Sequence, residues 1–160
     1  MEPIDSIKRQ TTISMDIFLR NFSKVPDDKL TWVPAPTAKS ALRIAAHTAL
    51  YAGRFAKMIR DQALPAPSNI SEWVAQRDAE EEAITDRGQI ETIFREGTAE
   101  VLAALDALTE EDINVVIDSG QGWTMSMRYL ITLPAWHTAN HTGQIDFLQT
   151  CWDDQHVYVG

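Results

Sequence analysis

A single cysteine, Cys151, is the only thiol in the chain, so no internal disulfide can staple it and a reducing compartment is the expectation. Basic residues are scarce: 14 Lys and Arg stand against 23 Asp and Glu, giving a net charge of −9. No basic stripe can be traced, which argues against nucleic-acid backbone and against an anionic membrane surface as partners. No apolar run approaches the roughly 20 residues of a membrane span. The start, Met1-Glu2-Pro3-Ile4-Asp5-Ser6, lacks the basic and apolar stretches of a signal peptide. A cytoplasmic protein without nucleic-acid or membrane partners is therefore expected. Serine nucleophile elbows, phosphate-binding glycine loops, paired-carboxylate motifs and internal repeats are also missing.

What is present can fold as one domain, residues 1–160, because 44% apolar content at this length buries a core without staples. Four segments carry helical periodicity, and proline or glycine separates them. The first spans roughly 4–23, with Ile7, Thr11, Met15, Phe18 and Phe22 on one stripe. Pro26 ends it, and Trp32-Val33-Pro34-Ala35-Pro36 reads as a stiff extended linker. The second spans roughly 39–62, capped by Thr37 or Ser40. Its alanines (Ala41, Ala45, Ala46, Ala49, Ala52, Ala56) favour helix and let a neighbour approach closely. The third spans roughly 87–108 and carries Ile90, Phe94, Gly97, Val101 and Leu105 on one face. The fourth spans roughly 124–152 as one helix with Thr124 as its cap, bent at the internal Pro134. Residues 68–86 are ambiguous. Ser71-Glu72-Trp73-Val74 can begin a short helix, whereas Ala79-Glu80-Glu81-Glu82-Ala83 reads as acidic and solvated. Val115-Val116-Ile117 can be a short extended piece before Gly120-Gln121-Gly122. Four amphipathic helices with little strand signal predict an all-α, antiparallel helical bundle.

Chemistry concentrates in the histidines, of which the chain has four. His137 and His141 are four residues apart, so they share one helix face about 6 Å apart along the axis. They continue the stripe of Leu130 and Leu148 and should point inward. Two inward imidazoles without partners would leave polar atoms unsatisfied at roughly 1–3 kcal/mol each, and a shared metal removes that cost. His47 is the natural third ligand. Its plain alternative is a half-buried histidine bonded to a backbone carbonyl. Three neutral imidazoles would leave coordination positions open, as in a catalytic rather than a closed structural site. They suit zinc or nickel, as well as copper or iron. Gln144 follows His141 by about one turn and Tyr51 follows His47 by one, so both are candidate orienting groups. Asn140 and Thr138 flank the pair. Trp136 and Trp152 read as packing residues, and Cys151 as a small buried hydrophobe too far along the helix to ligate. His156 reads as an ordinary surface histidine.

Two stretches carry a family resemblance. Leu30-Thr31-Trp32-Val33-Pro34-Ala35-Pro36, followed by Ser40-Ala41-Leu42-Arg43-Ile44-Ala45-Ala46-His47, resembles the first signature of the DinB-like proteins. His137-Thr138-Ala139-Asn140-His141-Thr142-Gly143-Gln144-Ile145 resembles the second. The resemblance spans roughly residues 4–152, and the combination is more specific than either half. It implies an up-down-down-up four-helix bundle, often a homodimer, with a metal held by His47, His137 and His141. It does not imply DNA binding. Relatives with an activity include metal-dependent thiol transferases and a thiol-dependent maleylpyruvate isomerase.

The reading that follows is a divalent-metal enzyme, a transferase in which a low-molecular-weight thiol attacks a small electrophilic substrate. One alternative keeps the ion but uses a metal-bound hydroxide for hydrolysis. Another is a bundle that binds metal without catalysis. Ligation requires neutral imidazole, so metal affinity should fall as pH drops through the histidine range.

Overall fold

The computed structural model describes residues 2–158. Its elements follow the apolar stripes closely. Helix α1 (Glu2–Ser23) buries Thr11, Met15, Phe18 and Phe22. Helix α2 (Ala41–Asp61) begins where Ser40 Oγ accepts the Arg43 N–H, and it ends where Gln62 turns left-handed at φ 48°. All six alanines of its predicted face are buried. The segment left ambiguous by pattern is helix α3 (Ile70–Glu82), started by Asn69 Oδ1 accepting the N–H groups of Ser71 and Glu72. Helix α4 (Arg87–Asp106) is capped by Asp86 and buries Ile90, Phe94, Val101 and Leu105. A short helix α5 (Glu110–Ile113) opens on a capping box between Thr109 and Asp112.

The fourth segment differs from expectation. Strands β1 (Val116–Asp118) and β2 (Thr124–Ser126) form an antiparallel hairpin in which Val116 faces Ser126. Gly120 (φ 69°) and Gly122 (φ 86°) supply the left-handed turn residues that this connection needs. Thr124 is therefore a strand residue, and Ser126 caps the one-turn helix α6 (Met127–Leu130). Helix α7 (Leu133–Thr150) then starts afresh, with Pro134 in its first turn. There the missing proline N–H has no helical partner to lose, so the ring starts the helix instead of bending it.

Four long helices, α1, α2, α4 and α7, make the bundle. α1 packs on α4 and α7, and α2 packs on the same two, so α1 and α2 occupy opposite corners. Side-chain pairs set the directions. Asn21, late in α1, donates to Asp146, late in α7, so these two run parallel. Arg87, at the start of α4, donates to the carbonyl of Phe22, at the end of α1, so these two oppose. His47 on α2 meets His141 on α7 while Phe55 meets His137, which makes that pair antiparallel. The order is up-down-down-up, and α3 bridges the two descending helices while lying against α2. No helix among the described residues is long and apolar enough to cross a membrane.

The parallel α2–α4 contact is the tightest in the bundle. A Cβ on Gly97 would lie 2.7 Å from the Gly53 nitrogen and 2.9 Å from Ala52 Cβ. Gly97→Ala is expected to destabilise by about 1–3 kcal/mol, because a backbone has to move and this outweighs alanine's better helix propensity. Gly53→Ala, which meets nothing within 4 Å, should be neutral or stabilising by up to about 1 kcal/mol. Equal denaturation midpoints for the two variants would contradict this picture of the contact.

Candidate metal centre

His47 comes from the middle of α2, and His137 and His141 come from successive turns of α7. The bundle brings the three together: one ring nitrogen of each lies within 4.8 Å of the other two. His137 Nε2 is 3.2 Å from His47 Nε2 and 3.2 Å from His141 Nε2. A tetrahedral ion with bonds of about 2.0–2.1 Å separates its nitrogen ligands by about 3.3 Å, so these spacings suit a shared cation.

The outer nitrogens decide which way the lone pairs face. His47 Nδ1 lies 2.6 Å from Glu81 Oε1, and a carboxylate can only accept, so Nδ1 carries the proton. His141 Nδ1 lies 2.7 Å from Gln144 Oε1 and donates in the same way when the amide oxygen faces it. Both Nε2 atoms are then bare acceptors directed at His137. One His137 N–H can satisfy one of them and leaves the other facing a nitrogen whose only proton is already donated. A cation satisfies all three. The donor set therefore fits a divalent metal that accepts neutral nitrogen ligands.

Electrostatics agree. Burial is the main cause that lowers the His137 pKa, to about 3, with the neighbouring imidazoles adding to it. Burial also pushes His47 and His141 below the ordinary value, partly opposed by Glu81 and Gln144. All three rings are thus held neutral at physiological pH, the form in which imidazole ligates.

Glu81 is the residue that pattern reading missed. It was expected on a solvated acidic run, yet its side chain is only 2% exposed. Burial alone would raise its pKa. Hydrogen bonds from Lys39 and His47 reverse that and hold the carboxyl below its usual range. Lys39 Nζ donates at 2.7 Å and Arg43 Nη2 at 3.3 Å, so each carboxylate oxygen has at least one partner. Its signal lay in the spacing: Trp73, Arg77 and Glu81 recur at helical intervals on the side of α3 facing α2. The carbonyl partner considered for His47 is replaced by this carboxylate.

Other expectations divide. Gln144 reaches His141, as its spacing implied. Tyr51 orients by its ring and not its hydroxyl: its centroid sits 4.4 Å from that of His47 and 4.8 Å from that of His137. Trp152 packs edge-on against Trp32, but Trp136 is 59% exposed at the rim and is no core residue. Cys151 is exposed, because helix α7 has already ended there, and it is not the buried hydrophobe expected. His156 is exposed and far from the cluster in sequence.

The cluster opens into a cleft of about 1010 Å³. Tyr51, Ile44, Trp136, Phe147 and Leu148 supply apolar walls, Asn140 and Gln144 supply amides, and Lys39 supplies the one charged side chain. No carboxylate is among the described residues lining it.

The model of the DinB superfamily matches residues 10–145. No curated protein matches the chain. Among solved structures, a DinB-like protein from Bacillus subtilis, YjoA, superposes with a TM-score of 0.68 at 20% identity, covering 95% of this chain and 94% of that one. YfiT from Bacillus subtilis, described as a probable metal-dependent hydrolase with an unusual four-helix bundle topology, gives 0.68 at 16% identity, covering 93% and 89%. A mycothiol-dependent maleylpyruvate isomerase gives 0.70 at 12% identity, where the match covers 89% of this chain and 60% of the longer one. At these identities the structures share the fold.

Proposed function

This chain belongs to the DinB superfamily, and from that premise we propose that it is a divalent-metal-dependent enzyme that transfers a low-molecular-weight thiol to a small electrophile. The observation that carries the metal half is the convergence of His47, His137 and His141 with their Nε2 lone pairs turned inward. Zinc or nickel suits three imidazoles. When bound, such an ion supplies Lewis-acid chemistry, lowering the pKa of a thiol held at its open position.

The protein's own residues divide the remaining work. Glu81 holds His47 in the ligating tautomer and Gln144 does the same for His141. The Tyr51 ring walls one side of the cluster, stacked on His137 and tilted against His47. The cleft volume, about 1010 Å³, is at the top of the ordinary range of roughly 300–1,000 Å³ for a small-molecule site, which leaves room for a thiol and its acceptor together.

The composition of the walls favours thiol transfer over hydrolysis. Base-assisted attack by water would need a positioned carboxylate, and the cleft carries no free one among the described residues. Glu81 sits behind His47 with its oxygens occupied. A thiol has an unperturbed pKa of about 8.5 against about 15.7 for water, so it would need a much smaller shift to become a nucleophilic anion near neutrality. The mycothiol dependence of one structural relative supports this reading, and the hydrolase description of another keeps hydrolysis as the competing arm of the test.

The test follows conjugation of cysteine or a cysteine-containing small thiol to an electrophilic dye. Metal-loaded protein should accelerate it, and chelated protein and a His141→Ala variant should match the uncatalysed rate. Equal rates with and without metal reject the mechanism. Metal-dependent ester or amide cleavage without thiol turnover transfers the assignment to hydrolysis.

A further inference from the structure

Helix α7 turns two stripes towards the metal cleft. His137, His141, Gln144 and Leu148 form the inner one, and Trp136, Asn140, Gly143 and Phe147 repeat the same spacing one residue earlier. The outer stripe is aromatic at both ends and bare. Trp136 is 59% exposed and Phe147 64%, yet both are walls of the cleft that holds the histidines. Large aromatic side chains left uncovered in one continuous concavity need a reason.

Gly143, between them, is a second anomaly. It lies in the interior of α7, where glycine is among the least favourable residues. Packing explains the glycine of α4, because a Cβ on Gly97 would strike the backbone of α2. At Gly143 a Cβ would meet nothing within 4 Å. The fold therefore does not require glycine there. What a side chain would take is space in the cleft, on the helix surface between the two aromatic residues.

We propose that Gly143 sets the substrate class of the cleft: its bare backbone admits a flat, neutral, apolar group of the electrophile between Trp136 and Phe147. The group is flat and apolar because aromatic faces wall the space. It is neutral because Lys39, the one charged side chain of the cleft, is already paired with Glu81. A second copy of the chain is the other candidate for an exposed apolar face, and a net charge of −9 on each copy opposes it. That the group belongs to an electrophile rests on the function proposed above, whereas its binding does not.

The experiment has two arms. In the first, 1-phenyl-1,2-ethanediol is titrated into metal-free protein and followed by the indole N–H resonances, with 1,2-propanediol as the counterpart without a ring. Trp136 should shift, while Trp32, Trp73, Trp123 and Trp152, which are not walls of the cleft, should not. Gly143→Leu should weaken the phenyl diol by about tenfold or more, because the side chain occupies its place. The same substitution should raise the denaturation midpoint, since leucine favours helix, so a lost ligand is not a lost fold. In the second arm, metal-loaded protein with Cys151→Ser, which removes the exposed thiol, adds a small thiol to styrene oxide or propylene oxide. The sulfur bonds to an epoxide carbon, the C–O bond breaks, and the oxygen takes up the proton that the thiol lost. Preference for styrene oxide, each rate taken over the uncatalysed one, should fall by about tenfold or more in Gly143→Leu, through KM.

Equal binding of the two diols overturns the proposal, as does an affinity or an epoxide preference that Gly143→Leu leaves unchanged. A lowered midpoint in Gly143→Leu also overturns it, because glycine then serves packing. So does a dimer, seen by sedimentation, that the substitution dissociates. Phenyl-diol binding that depends on Gly143, without metal-dependent thiol turnover, keeps the subsite and removes the reaction.

Discussion

A His137→Ala variant should lose its metal altogether. His137 is the hinge of the cluster, because its Nε2 is 3.2 Å from both other Nε2 atoms. Removing it leaves His47 and His141 facing each other across an emptied position, with only two donors. The loss should exceed the roughly 10–100-fold that removal of an outer hydrogen-bond partner costs a metal site. Elemental analysis of protein purified without a nickel column checks it: about one ion per chain in the parent and none in the variant. A variant that retains stoichiometric metal means that the ion is held elsewhere.

The same substitution should change how the metal-free protein responds to acid. His137 has a folded-state pKa of about 3, against 6.5 for the free side chain. Between those values the unfolded chain carries a proton that the folded chain does not. Stability is therefore full above pH 6.5 and declines as pH falls towards 3, by at most about 1.4 kcal/mol per pH unit for this one group. His47 and His141 are shifted in the same direction and steepen the decline. Denaturant midpoints measured in chelator between pH 7 and pH 5 should fall for the parent and fall less steeply for His137→Ala. Parallel slopes would mean that the ring is solvated and not buried.

The sequence carried the four long helices because their stripes are long and proline or glycine lies in each connection between them. The six buried alanines of α2 and the Ile90–Phe94–Val101 face of α4 needed no more than periodicity. Helix α7 was harder, because Pro134 reads identically as a kink inside a long helix or as the first turn of a new one. Only the pairing of Thr124–Ser126 with Val116–Asp118 decides between them, and pairing is not local. The histidine cluster was legible as a spacing plus one distant residue, but its convergence depends on α2 and α7 being antiparallel neighbours. Glu81 was hidden for another reason. Composition marks Glu80-Glu81-Glu82 as surface, and one of the three turns inward only because Lys39, just before α2, and Arg43 and His47 on it meet it there. Buried charge is an outcome of tertiary pairing that a run of like residues conceals.

For the metal site, that buried carboxylate should be the most costly residue to replace outside the three histidines. Glu81→Ala removes the acceptor for Lys39 and His47 and one of three acidic partners of Arg43. Breaking a buried ion pair from one side costs about 3–5 kcal/mol, and this case belongs at the lower end because Lys39 is 43% exposed and can turn to water. The effect on the metal site has a separate cause. Without Glu81, His47 is free to carry its proton on Nε2, the atom that must be bare to ligate, so affinity should fall by about 10–100-fold. Glu81→Gln divides the two consequences. Its amide oxygen can still accept from Nδ1, so affinity should drop less than in the alanine variant, while Lys39 still loses its counter-charge, Arg43 keeps only Asp78 and Glu82, and stability still falls. Competition against a chromophoric chelator reads the first effect and denaturant unfolding reads the second. If both variants bind metal as tightly as the parent, Glu81 serves only the α2–α3 contact, and the tautomer of His47 is set by the ion itself.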